Sequence, residues 1–226
     1  MSDRRALAKL LTAIESGDPD AVAAASLMAG ADGAAPRIGI TGPPGVGKST
    51  LVNAMVTELR SRDRTVAVLA IDPSSPITGG ALLGDRIRMQ DHVDDEGVYV
   101  RSMASRGHLG GLAEASGPVI EALSHSCFDY VLVETVGVGQ SEVEVMDLVD
   151  VVVLVVAPGW GDQVQAEKAG IVEISNLFVV NKGDRPGAND VQRALRSSVR
   201  EDAQVLITTA TTGEGVAELV DALGLA

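Results

Sequence analysis

The chain has 226 residues, with 18 Lys and Arg against 31 Asp and Glu for a net charge of −13, and it is 46% hydrophobic but only 2% aromatic. That length suits one continuous α/β core, and so acidic a balance argues against wrapping nucleic acid, which needs clustered Lys and Arg. A single cysteine, Cys127, excludes an internal disulfide and a Cys-rich metal site; between Ser126 and Phe128 it reads as a small buried hydrophobe in a reducing compartment.

With so few aromatics the core must be built from Val, Ile, Leu and Ala, as in a parallel sheet buried on both faces. The charged start Met1-Ser2-Asp3-Arg4-Arg5 is followed by no apolar signal region, and the longest apolar run, Val151 to Ala157, falls far short of the ~20 residues of a membrane span. A soluble, cytoplasmic protein is expected.

Residues 4 to 16 carry Leu7, Leu10, Leu11 and Ile14 at helical spacing and stop at Gly17. Asp18-Pro19 then reads as an N-cap with proline at the first helical position, opening a second helix over Ala21 to Met28. Residues 30 to 36 are the most linker-like stretch, so the expected division is a helical segment over 1–35 and a nucleotide-binding domain over 36–226.

The strand Ile38 to Thr41 leads into Gly42-Pro43-Pro44-Gly45-Val46-Gly47-Lys48-Ser49-Thr50, which meets the G-x-x-x-x-G-K-[ST] pattern at every fixed position. A helix from Lys48 to Arg60 follows, with Leu51, Met55 and Leu59 on one face. The order is dictated by phosphate chemistry. Glycines let backbone N–H groups close around the phosphates, Lys48 reaches the β and γ oxygens, and Ser49 offers a hydroxyl to Mg²⁺.

Thr65 to Ile71 reads as a second strand, ended by Asp72-Pro73-Ser74-Ser75-Pro76. The polar passage through Gly84-Asp85-Arg86 is long for an idle loop. Asp72 stands at the carboxyl end of a strand, where ligands sit in open α/β sheets, and is a candidate for ordering Mg²⁺ or the attacking water; it reads otherwise as a turn residue. Asp85 reads equally as a helix N-cap. Val98 to Val100 is a short third strand. Arg101 and Arg106 follow, and a surface ion pair is favoured over phosphate contact for both. A helix over Leu112 to Leu123 returns the chain to the sheet.

Tyr130 to Glu134 is a strand ending in an acid, with Gly137 three residues on, similar to the D-x-x-G arrangement of GTPases. There Glu134 can hold Mg²⁺ through water and the Gly137 N–H can sense a γ-phosphate. Gln140 does not directly follow the glycine and reads as a helix cap before it reads as a water-orienting residue. Asp150 to Ala157 marks a strand at the sheet centre. Trp160, flanked by glycines, precedes a helix over Gln163 to Ala169.

Leu177 to Val180 delivers Asn181-Lys182-Gly183-Asp184, the N-K-x-D guanine signature. Asp184 can accept from both N1–H and the 2-amino group of guanine, donors that adenine lacks; the Lys182 stem lies along the purine and Asn181 braces the loop. After a last strand over Gln204 to Thr208, Thr209-Ala210-Thr211 falls where a backbone N–H supports the guanine carbonyl. Val216, Leu219, Val220 and Leu223 form a closing helix.

Taken together, Thr41–Thr50, Ile71–Met89 (IDPSSPITGGALLGDRIRM), Arg101–Leu112, Glu134–Glu142 (ETVGVGQSE) and Pro158–Asp184 resemble MeaB/ArgK-type GTPases, which serve adenosylcobalamin-dependent acyl-CoA mutases such as methylmalonyl-CoA mutase. The resemblance implies a P-loop NTPase fold with a largely parallel central sheet and helices on both faces, GTP/GDP and Mg²⁺ as ligands, and GTP hydrolysis that gates cofactor loading and protects the mutase. It implies that Lys48, Ser49, Asp72, Asp85 and Glu134 surround phosphates and metal, and that Pro158 to Ala169, including Lys168, relays the nucleotide state. Ile77, His108 and Gly183 depart from the usual residues. Family members continue into a C-terminal dimerisation arm, whereas this chain stops at Ala226, which leaves a homodimer open without its usual contact. A P-loop small-molecule kinase and a GTP-gated binding module with incidental turnover are the other readings. A nickel-enzyme metallochaperone normally brings Cys and His ligands, and one Cys with three scattered His does not supply them.

Overall fold

The computed structural model describes residues 4–29, 32–73, 92, 94–105, 111–135, 140–159 and 169–224, with backbone only at 72–73, 104–105, 111–114, 140–142 and 169–170. Seven strands form one sheet, β1 (Arg37–Thr41), β2 (Val66–Pro73), β3 (Val98–Ser105), β4 (Tyr130–Thr135), β5 (Val151–Val156), β6 (Leu177–Val180) and β7 (Gln204–Ile207), in the spatial order β3-β2-β4-β1-β5-β6-β7. Every pairing is parallel. Parallel neighbours need crossovers, and these place helices on both faces, so the strands read as unbroken apolar runs. β4 is buried along its whole length and β5 at all but its first residue. The expected α/β architecture is the one found, with β1 at the centre and β5 beside it.

On one face α3 (Lys48–Ser61) and α8 (Val216–Ala222) bury Leu51, Met55, Leu59, Leu219 and Val220 against Ile38, Ile40, Val66, Val68 and Leu132. On the other, α4 (Gly111–Ser124) and α5 (Gln140–Met146) cover β2, β4 and β1. Gly39 makes that approach feasible, because a Cβ there would lie 2.5 Å from Met146 Sδ. Farther along, α6 (Ala169–Ile174) and α7 (Ala188–Ser198) pack on β5, β6 and β7.

The N-terminal helices α1 (Arg4–Glu15) and α2 (Pro19–Ser26) are not an appendage: Leu7, Leu11, Ile14 and Ala25 share a core with Val119, Ile120 and Leu123 of α4. Asp18 caps α2 by accepting from the Asp20 and Ala21 N–H groups at 3.1 and 3.0 Å, and Pro19 takes the first turn. The helix ends at Ser26, two residues before the expected limit of Met28. Polar ties then pin α1 to β3, an edge strand. Arg101 donates to Glu15 Oε1 at 2.7 Å, Thr12 Oγ1 at 3.1 Å and the Ala8 carbonyl at 3.3 Å. Arg4 donates to the Asp95 and Val98 carbonyls at 3.2 and 2.9 Å. Arg101 therefore makes the expected ion pair; Arg106 lies outside the described residues.

Two strand limits differ from expectation. β2 continues through Asp72 and Pro73, where the sequence suggests a turn, and β3 runs eight residues to Ser105 rather than three. They extend together: β2 pairs with β3 as far as Pro73↔Ser105 but with β4 only to Ile71↔Thr135. Beyond Ile71 the side facing β4 has no pairing to lose, which is the setting in which a strand tolerates proline.

Cys127 also differs from expectation. It is exposed, in the turn that follows α4, and the inward position is taken by Phe128, packed tilted on Tyr99 at 5.9 Å. With Ala6, Leu7, Leu10, Met28, Ala122, His125 and Ser126 it lines a cavity of about 620 Å³ between α1 and the end of α4.

Candidate nucleotide site

The glycine-rich loop joins the carboxyl end of β1 to the first turn of α3, and its shape depends on the glycines. At Gly42, φ 142, a Cβ would stand 2.1 Å from the Val155 carbonyl of β5. At Gly47, φ 94, it would stand 2.6 Å from Asn181 Nδ2. Gly45 is left-handed as well, with open space where a side chain would be. Gly47 caps α3 without a side-chain acceptor, so the first-turn N–H groups present the helix's positive end to the loop. Pro44 forms the turn with Gly45, and buried Val46 plugs the loop into the core beneath. Lys48, 6% exposed, folds back over the loop and donates to the Gly42 and Pro43 carbonyls at 2.7 and 2.9 Å.

Beside it, Ser49 donates its hydroxyl to Glu134 Oε1 at 2.7 Å. Both are buried, and Glu134 stands opposite Ile40 at the end of β4. A hydroxyl on the first turn of α3 beside a carboxylate near the end of β4 suits Mg²⁺, which prefers oxygen ligands. Asp72 belongs to the same edge, two residues beyond Ala70, the partner of Glu134 in register. Gln140 opens α5. Asp85, Gly137, Trp160 and Lys168 lie outside the described residues.

The second loop comes from β6 and is built around Asn181, 2% exposed. Its Nδ2 donates to the Val46 carbonyl at 3.0 Å, while its Oδ1 accepts from Ala210 N at 3.1 Å and Thr208 Oγ1 at 3.2 Å. One side chain thus ties three loops together. Lys182 adopts φ 60 and donates to the Gly45 carbonyl at 2.6 Å. The Gly183 N–H donates to the Thr208 carbonyl at 2.9 Å, and a Cβ on Gly183 would meet Ile207 Cγ2 at 2.6 Å. Between these loops lies a cavity of about 120 Å³ lined by Gly47, Thr50, Asn181, Lys182, Asp184, Arg185, Thr209, Ala210 and Thr211.

The structure therefore gathers the glycine-rich loop, the N-K-x-D tetrad and the Thr209–Thr211 loop at one edge of the sheet. Sequence reasoning missed Thr208, whose hydroxyl braces Asn181, Ile207, which closes over Gly183, and Arg185. Only Arg185 had a signal, its position directly after the acid of the tetrad.

A glycine-rich phosphate loop at the carboxyl edge of an all-parallel sheet, beside a second loop that lines a small cavity, defines a P-loop nucleotide-binding protein. Within that class the chain belongs to the methylmalonyl Co-A mutase-associated GTPase MeaB family, whose model matches residues 7–224. It is a GTPase. A Pyrococcus horikoshii relative is 48% identical over 227 residues, 96% of this chain and 72% of its own length. GTPase ArgK of Escherichia coli is 40% identical over 89% of this chain and 61% of that protein. The mouse mitochondrial methylmalonic aciduria type A homolog is 37% identical over 83% of this chain and 48% of its own length. Among solved structures, a LAO/AO transport system kinase superposes with a TM-score of 0.64 at 25% identity, over 99% of this chain and 75% of that one. The hydrogenase maturation factor HypB of Archaeoglobus fulgidus, at 18% identity and TM-score 0.62, shares the fold over 97% of this chain and 98% of its own.

Proposed function

We propose that the chain is an Mg²⁺-dependent GTPase whose nucleotide state gates an adenosylcobalamin-dependent acyl-CoA mutase of the methylmalonyl-CoA mutase type, controlling cofactor loading and protecting the mutase. The observation that carries the guanine site is Asn181, whose side chain joins the phosphate loop to the cavity that Asp184 lines. The partner rests on the family's description as mutase-associated. No helix of the described residues is long and apolar enough to cross a membrane, in keeping with action in the cytoplasm.

In this reading the loop's own contacts are exchanged for contacts to nucleotide. Lys48 leaves the Gly42 and Pro43 carbonyls for the β and γ oxygens, where a fixed cation stabilises charge developing in phosphoryl transfer. The N–H groups of residues 45–50 receive the phosphates. Asp184 accepts from guanine N1–H and the 2-amino group, Lys182 lies along the ring, and Thr209, Ala210 and Thr211 face its carbonyl. Ser49 and Glu134, with Asp72 and Asp85, would hold Mg²⁺, and Gly137 would sense the γ-phosphate. Bound by these residues, Mg²⁺ would supply positive charge against the phosphate oxygens.

Asp184→Asn is expected to lose the preference for GTP over ATP; an unchanged preference sinks the base assignment. For the partner, the measurement is affinity for a mutase of this type with GDP and with a non-hydrolysable GTP analogue. A difference between the two states is expected, and equal affinities defeat the gating. The fold shared with a LAO/AO transport system kinase motivates a second reading, a small-molecule kinase. Phosphate release with water as the only acceptor supports the GTPase, whereas a required added acceptor supports the kinase.

A further inference from the structure

A purine has two faces, and a tight subsite covers both. Lys182 supplies one wall: its left-handed backbone and its bond to the Gly45 carbonyl hold the stem along the cavity. No aromatic ring lines the cavity among the described residues. Phe178 and Tyr130 are buried in the core, and Phe128 and Tyr99 pair with each other. Among the described lining residues, the flat cationic group is the guanidinium of Arg185.

Arg185 lines the same cavity, held directly after Asp184 by a turn in which its N–H donates to the Lys182 carbonyl at 3.0 Å. Its side chain has a feature that sets it apart. Arg37, Arg60, Arg62, Arg101, Arg193 and Arg200 face carboxylates. Arg4 and Arg196 donate to backbone carbonyls, and Arg5 and Arg64 are also engaged. Among the described residues Arg185 is the arginine whose guanidinium engages no partner, although the chain carries a surplus of acids. Its guanidinium is thus available to a ligand at the cavity.

We propose that Arg185 is a base-binding residue of the nucleotide site, its planar guanidinium stacking on the guanine face opposite the Lys182 stem. Guanidinium groups stack on π systems and are weakly hydrated, so the contact costs little desolvation, and an ammonium cannot reproduce its flat face. The proposal rests on reading the cavity as the guanine subsite.

The test is calorimetric affinity for GMP, GDP and GTP in wild type, Arg185→Ala and Arg185→Lys. Because the base is common to all three ligands, Arg185→Ala is expected to weaken each by the same factor, roughly fivefold. Arg185→Lys is expected to recover less than half of that loss on a logarithmic scale. With no partner to lose, neither variant should shift the nucleotide-free Tm. Unchanged affinities overturn the proposal, as does a loss that grows with phosphate number or full rescue by lysine, either of which marks long-range attraction instead of stacking. Asp184→Asn separates the two levels: if it leaves the preference for GDP over ADP intact, the guanine subsite itself is misplaced, whatever Arg185 does.

Discussion

At the residue scale the site depends most on Asn181. Its amide satisfies a carbonyl of the phosphate loop with one end and an amide N–H and a hydroxyl with the other, all in a buried setting. Truncation strands those groups, and each buried unsatisfied group costs about 1–3 kcal/mol. Asn181→Ala is therefore expected to lower stability by roughly 3 kcal/mol in urea unfolding and to weaken GTP and GDP together. Gly183 sets a different constraint. The Ile207 methyl occupies the place of any Cβ, so Gly183→Ala must displace a strand residue beside the base cavity. We expect Gly183→Ala to lower the affinity for GDP and Ile207→Ala, combined with it, to restore most of the loss; a double variant as weak as the single one refutes the steric account.

At the element scale, α1 is clamped to edge strand β3 by Arg101, whose guanidinium serves three acceptors on α1. A planar fork makes this contact and an ammonium does not. Arg101→Ala is expected to cost about 2 kcal/mol, within the range for hydrogen bonds to charged groups, and Arg101→Lys to recover little of it in the same denaturation measurement. A second clamp joins the starts of β1 and β5. Arg37 donates to both Asp150 oxygens, at 3.1 and 2.7 Å, and to Glu121 at 2.7 Å. The hydrogen bond from Arg37 holds the Asp150 carboxyl below its ordinary value of 3.8, against the opposing effect of burial. The folded-state value is thus depressed relative to the unfolded one. The stabilisation is complete above the ordinary value and fades as pH falls through the folded value. Asp150→Asn should therefore flatten the acid limb of a stability-versus-pH curve below about pH 4, and an unaltered limb would show that the pair contributes nothing there.

These elements also show what a sequence can and cannot reveal. The glycine-rich loop and the tetrad are contiguous motifs whose chemistry is local, and β4 and β5 are unbroken apolar runs, so both are readable from the chain. The ends of β2 and β3 are not, because Pro73 stays in a strand only by virtue of its pairing with Ser105, a partner distant in sequence. Cys127 misleads for a related reason: its neighbours do not disclose that a turn directs Phe128 inward in its place. Likewise, the packing of α1 and α2 on α4 is invisible beside a linker-like composition over residues 30 to 36.

At the scale of the whole molecule, nucleotide binding and stability are linked. GDP at a hundred times its Kd stabilises the folded state by about 2.7 kcal/mol. At about 2–4 °C per kcal/mol for a chain of this size, Tm should rise by roughly 5–10 °C with GDP. ADP at the same concentration should leave it nearly unchanged, and equal shifts with both would contradict guanine selectivity.

The exposed thiol of Cys127 has a practical consequence. It is the only cysteine in the chain, and it borders the cavity between the end of α4 and the Leu7 and Leu10 face of α1. A maleimide fluorophore would attach at that one position without any background mutation. Its emission would report directly on the docking of the N-terminal helix, so that the effect of nucleotide on that packing can be read in solution.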